Sequence, residues 1–139
     1  MKWRSEAGAE AGAVPVEFAA AIAMLLLPVF VFVVTIAPVV ERRTVAGRAA
    51  AEAARAFVVA DDVAGGEAAA RSIVDQINAG HPFTLTLSSL TGYLDRGSVV
   101  SATVEVAMPV IIFPGVIEFD VADYTATHEE EVDLFRSLP

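Results

Sequence analysis

From Phe18 to Val40 the chain runs for about 23 residues without a charged side chain. A helix needs roughly 20 apolar residues to cross a hydrocarbon core, so this run is long enough to span a membrane and claims part of the 139 residues before any water-soluble fold is built. Removal as a secretory signal is not expected. Such signals carry a shorter apolar core followed by a small-x-small cleavage site, whereas this run passes through Pro38-Val39-Val40 into Glu41-Arg42-Arg43. Pro28 and Pro38 interrupt it. A proline removes one helical hydrogen bond and bends the axis, which lipid-embedded helices tolerate. A kinked anchor and a kink that shapes packing against neighbouring subunits both fit that pattern.

Glu17 stands at the start of the run, five residues after Gly12 in the stretch Gly12-Ala13-Val14-Pro15-Val16-Glu17-Phe18. A carboxylate beside a membrane span is costly to desolvate, and a residue in such a place usually has a partner or a task. The plainer alternative is a hydrated carboxylate at headgroup level.

Beyond Val40 the pattern turns amphipathic without a turn signal, so the helix is expected to continue. Glu41, Arg48, Glu52 and Arg55, spaced by seven, four and three, share one face; Ala46, Ala50, Ala53 and Phe57 share the other. Such an alanine-rich face packs closely on its own domain or on another subunit. Asp61-Asp62 and Gly65-Gly66 are expected to end this helix, and a shorter one is expected over 67–79, with Ala70, Ile73, Val74 and Ile77 inward and Gly80 as its stop. Three runs then alternate with period two. They are Phe83, Leu85 and Leu87; Val100, Ala102, Val104 and Val106; and Ile117, Phe119 and Val121. Short connections between them favour an antiparallel sheet with the short helix on one face and water on the other. Met108 to Phe113, which contains Pro109, is either an extension of the second strand or an exposed contact patch. The fold class is therefore α+β: a long N-terminal transmembrane helix continuing into an amphipathic helix, then a short helix and a three-stranded antiparallel sheet.

Chemistry is sparse. The net charge of −9 argues against a nucleic-acid partner, and the absence of cysteine excludes disulfides and thiolate chemistry. His81, before Pro82 in a loop, and His128, ahead of Glu129-Glu130-Glu131, lack companions at metal-ligand spacing and read as surface histidines. Asp61-Asp62 and the glutamate run lack the alternating oxygen ligands of a calcium loop, so helix capping and a solvated tail are the expected roles. No catalytic residue, metal or cofactor is expected, and the chain does not read as an enzyme.

A glycine followed by four residues, a glutamate and an aromatic, set directly before a transmembrane run, resembles the processing site of type IV pilin precursors. The form Gly12-Ala13-Val14-Pro15-Val16-Glu17-Phe18-Ala19 is similar to the TadE-like pseudopilins of tight adherence (Flp) pili. The segment Arg48-Ala49-Ala50-Ala51-Glu52-Ala53-Ala54-Arg55-Ala56 and the stretch Met108-Pro109-Val110-Ile111-Ile112-Phe113-Pro114-Gly115 resemble that family too. The resemblance implies a pilin-like fold and a leader over residues 1–12. A prepilin peptidase would cut it between Gly12 and Ala13 on the cytoplasmic side, leaving a transmembrane helix over 13–40 and an extracytoplasmic α+β domain over 41–139. It further implies that Glu17 pairs with the new amine of Ala13, usually of a neighbouring subunit, and that Glu17 and Phe18 serve assembly. Implied partners are the membrane, the peptidase, pilin and other pseudopilin subunits, and the inner-membrane pilus assembly machinery. In that orientation Arg42, Arg43 and Arg48 lie outside, against a plain positive-inside count, and Glu6 and Glu10 offset Lys2 and Arg4 in the leader. Whether the chain joins the filament or stays in the membrane is open. The competing reading is a single-pass, membrane-anchored binding module whose helix is only a tether.

Overall fold

The computed structural model describes residues 13–113, 117–119 and 121–135. Helix α1 (Ala13–Val58) carries the uncharged run and the amphipathic segment as one element, with Pro28 and Pro38 inside it. Two compact units divide at Ala37/Pro38. In the first unit the described side chains of α1 are exposed apart from the half-buried Val31, Thr35 and Ile36: Met24 is 82% exposed, Leu25 72%, Leu27 64% and Phe30 68%. A helix apolar on every side belongs in lipid or in the interior of an assembly.

The second unit holds the packed fold. Helix α2 (Val63–Ala79) is followed by β1 (Leu85–Thr91), β2 (Val99–Val106), β3 (Ile111–Phe113), β4 (Ile117–Phe119) and β5 (Tyr124–Glu131). β1, β2 and β5 form one antiparallel sheet in that order, and β3 and β4 form a separate two-stranded hairpin. The core joins Ala46, Ala49, Ala50, Ala53 and Ala54 of α1 with Ala70 and Val74 of α2 and with Leu85, Ala102, Val104, Val106 and Ala126 of the sheet. The five alanines have no accessible surface. A surface of methyl groups lets the helix axis come close to the sheet, which is what the alanine face of the sequence implies. At the far end Phe57 packs with Val100 and Val132.

Three expectations need correction. First, Gly65 and Gly66 do not end α1; they lie in the first turns of α2, which begins four residues earlier than the pattern suggests. Asp62 is its N-cap, its carboxylate accepting from the Gly65 N–H at 2.6 Å. Gly66 is there because a Cβ would meet the Phe57 ring at 2.9 Å and the Phe57 carbonyl at 3.1 Å. Second, the third strand of the sheet is not 117–121 but β5, so the run Glu129-Glu130-Glu131 is strand rather than tail. The inward positions of β5 are Tyr124, Ala126, His128 and Glu130, of which only Ala126 is fully buried; an edge strand with so little apolar surface hides its period. Third, Met108 is buried in the core and the chain beyond it turns away from β2 into the hairpin, so neither reading of that stretch holds for Met108 itself.

β1 departs from strict alternation. Leu85 pairs with Val106 and Leu87 with Val104, but the register slips between Leu87 and Ser89 so that Leu90 faces Ala102. The extra residue of this bulge keeps Leu90 on the core side, three positions after Leu87. Gly92 and Gly97 take positive φ in the β1–β2 connection. At Gly92 a Cβ would meet the Val100 Cα at 2.7 Å.

Candidate functional site

The residues that resemble a processing and assembly site sit at the head of α1. Gly12 lies outside the described residues. Ala13 is the first residue of α1, and Glu17 and Phe18 follow on the helix. Residues four apart on a helix stand one above the other, so Glu17 shares a face with the backbone start at Ala13, about 6 Å along the axis. A carboxylate close to a helix N-terminus is also favoured by the partial positive charge of its unpaired N–H groups. Glu17 is exposed and Phe18 is 67% exposed. Among the described residues no hydrogen bond or ion pair holds the Glu17 carboxylate. Among the described residues α1 is the one helix long and apolar enough, by length and composition, to cross a membrane.

A second constellation lies just past the uncharged run, within the packed unit. Arg42 reaches the Ala107 carbonyl with Nη1, and its guanidinium lies 5.2 Å from the centre of the Phe83 ring. Arg43 lies over Tyr124 at 5.1 Å. His81 stacks on Phe83, centroid to centroid 5.1 Å, with Nδ1 3.8 Å from a Glu41 carboxylate oxygen. A guanidinium over an aromatic face is held by the ring quadrupole while its edge stays free for anions or water. The two arginines therefore tie the start of the amphipathic part of α1 to the loop before β1 and to the start of β5. Sequence reasoning treated His81 as a lone surface histidine and did not connect it with Glu41, forty residues earlier. Charge pattern along the chain contains no signal for a pairing of that range. His128 lies on β5, its Nε2 3.2 Å from Glu130.

Between α1 and α2 an open hollow of about 360 Å³ is lined by Thr44, Val45, Arg48, Gln76, Ile77, Gly80 and His81. Its walls offer a cation and an amide but no acid–base pair or nucleophile. No group of three or more His, Asp or Glu side chains among the described residues is arranged to hold a metal ion.

Fold and site together define an α+β chain with one membrane-competent helix that enters its packed domain as a core element. No family model, no curated protein and no solved structure matches the chain.

Proposed function

We propose that this chain is a TadE-like pseudopilin of a tight adherence pilus system, made as a precursor that a prepilin peptidase cuts after Gly12. The observation that carries the proposal is the position of Glu17: an exposed carboxylate one turn into α1, five residues after Gly12, at the head of an uncharged and mostly exposed apolar run. Cleavage would place a free amine on Ala13. Two like helices side by side in lipid would then each carry a cation and an anion at the same level, and pairing them between subunits avoids leaving either charge alone in low dielectric. The α+β domain would stand outside the cytoplasm, with the helix running into its core.

Co-expression with a prepilin peptidase followed by sequencing of the mature N-terminus tests the processing step. The expected first residue is Ala13; an intact Met1 in a strain that makes functional pili would reject it. The alternative, an anchored module that binds a ligand in the hollow between α1 and α2, is separated by Glu17→Ala. That substitution leaves an anchored binder working but abolishes assembly by a pseudopilin.

A further inference from the structure

Four large apolar side chains of the packed unit stand open to solvent on two segments that are tied to each other. Tyr93 is 72% exposed, Val99 53%, Leu134 58% and Phe135 92%. Tyr93 belongs to the β1–β2 connection, Val99 opens β2, and Leu134 and Phe135 follow β5. Gly97 donates to the Val132 carbonyl at 2.9 Å, Val132 donates to the Ser98 carbonyl at 2.8 Å, and Val99 pairs with Glu131. Ser98 Oγ in turn donates to the Tyr93 carbonyl. Val132 is buried with Phe57 and Val100, which anchors this strip to the core.

Leu134 and Phe135 are held in place beyond the end of β5. A Cβ on Gly97 would meet Leu134 Cδ2 at 3.0 Å, so the leucine lies against this glycine, and the Asp133 carboxylate accepts from the Phe135 N–H at 2.8 Å. Apolar side chains already positioned before contact lose little freedom when a partner covers them, and aromatic ones are frequent anchors of interfaces. Carboxylates surround the strip. Glu131 and Glu129 lie on the same sheet face as Val99, their cross-strand partners being Val99 and Ser101, while Asp95 and Asp133 lie on the tied segments themselves. Among the described residues of 92–99 and 129–135, Arg96 is the one cation. An apolar centre with a rim of one sign selects a partner of the opposite sign. A second copy docking through the same strip would set these carboxylates against their own counterparts. Nucleic acid or an anionic lipid surface would meet the same repulsion.

We propose that Tyr93, Val99, Leu134 and Phe135 form a docking strip for a protein partner that presents a basic segment with an aromatic or aliphatic anchor. Tyr93 and Phe135 offer ring faces to that anchor, or to an arginine whose guanidinium stacks on a ring and keeps its edge for Glu131 or Asp133. The strip lies wholly within the packed unit, and its use depends neither on cleavage after Gly12 nor on Glu17.

A random peptide library displayed on phage, panned on the full chain in mild detergent, tests this, with the Tyr93→Ser/Phe135→Ser double variant panned in parallel. Both replaced side chains are exposed, and circular dichroism of the variant checks that its fold is kept. The expected result is a set of peptides enriched on the natural chain and not on the variant, carrying arginine or lysine beside an aromatic or aliphatic residue. The most enriched peptide, followed by fluorescence anisotropy, should bind Phe135→Ala about thirtyfold more weakly. Its affinity should also fall with added salt and with Glu131→Gln/Asp133→Asn. Failure to find any peptide that distinguishes the two proteins would overturn the docking strip, as would distinguishing peptides that are acidic or uncharged. Sedimentation showing self-association that the double variant abolishes would overturn it too, because a second copy would then cover the strip. Quenching of a Phe135→Trp probe by brominated phosphatidylcholine, in a Trp3→Phe background, would assign the strip to lipid instead and likewise reject a protein partner.

Discussion

Asn78 does for the first residue of β1 what a neighbouring strand would do. Its Oδ1 accepts from the Leu85 N–H at 2.7 Å and its Nδ2 donates to the Leu85 carbonyl at 3.0 Å, so the outer edge of the sheet is closed where α2 ends. Leu85 is buried, and removing the amide would leave both of its backbone groups without a partner. Asn78→Ala is expected to destabilise the packed unit by about 1–3 kcal/mol. Urea unfolding of the full chain in detergent measures it, and a loss indistinguishable from zero would mean that water serves Leu85 equally well. Glu17 is the residue of opposite kind, with nothing in the packed unit depending on it. Glu17→Ala should therefore leave the unfolding midpoint and membrane extraction unchanged while filament assembly is lost. Electron microscopy of surface pili, beside immunoblots of the membrane fraction, separates those outcomes; assembled pili in the variant would count against the ion pair with Ala13. The proposed role of Glu17 rests on local sequence alone, a glycine five residues before it and an uncharged run after it. The His81–Glu41 and Arg43–Tyr124 contacts were not legible in the sequence, since each joins positions that only the fold brings together.

Among the elements, α1 and α2 were readable from the period of their alanines and branched residues, because burial of one face is what the period records. The corner between them was misread for a physical reason. Glycine weakens a helix by roughly 0.5–1 kcal/mol relative to alanine, so two in succession look like a break. Here one of them is required inside the helix by the close approach of Phe57. Gly66→Ala should accordingly lose stability despite its better helix propensity, by about 1–3 kcal/mol if the Phe57 ring cannot move aside. Thermal unfolding monitored by circular dichroism decides it, and a gain in stability would show that the ring yields. The same reasoning applies to the alanine face. Ala53 has no accessible surface, and Ala53→Leu would force three extra heavy atoms between α1 and its neighbours at a cost again of about 1–3 kcal/mol. The sheet was half legible: β1 and β2 carry enough inward valine and leucine to show period two, whereas β5 puts histidine and glutamate on inward positions near an open edge. Charges along such an edge discourage pairing with another sheet, and that is the reason an acidic run can be a strand.

At the scale of the whole molecule the two units present different surfaces, the first mostly exposed apolar side chains and the second a packed core. Every residue of both core clusters, including those packed at their margins, lies at Val39 or beyond. Among the described residues no apolar side chain before Pro38 belongs to either cluster, and of the acidic residues only Glu6, Glu10 and Glu17 precede it. The packed unit thus keeps its core and nearly all of its solubilising charge when the first 37 residues are removed. The cut also falls well for the helix. Pro38 as the first helical residue has no N–H to leave unpaired and its fixed φ suits the helical start, so the shortened α1 would begin on a favourable residue. A chain comprising Pro38–Pro139 is therefore expected to fold on its own, with a single cooperative thermal transition and dispersed amide resonances. What it should lose is confinement to membranes, because the helix able to span them has gone. Flotation of this fragment with vesicles, compared with the full chain, measures that loss. A fragment that is molten or aggregated would show that the first unit supports the fold in a way its exposed side chains do not suggest.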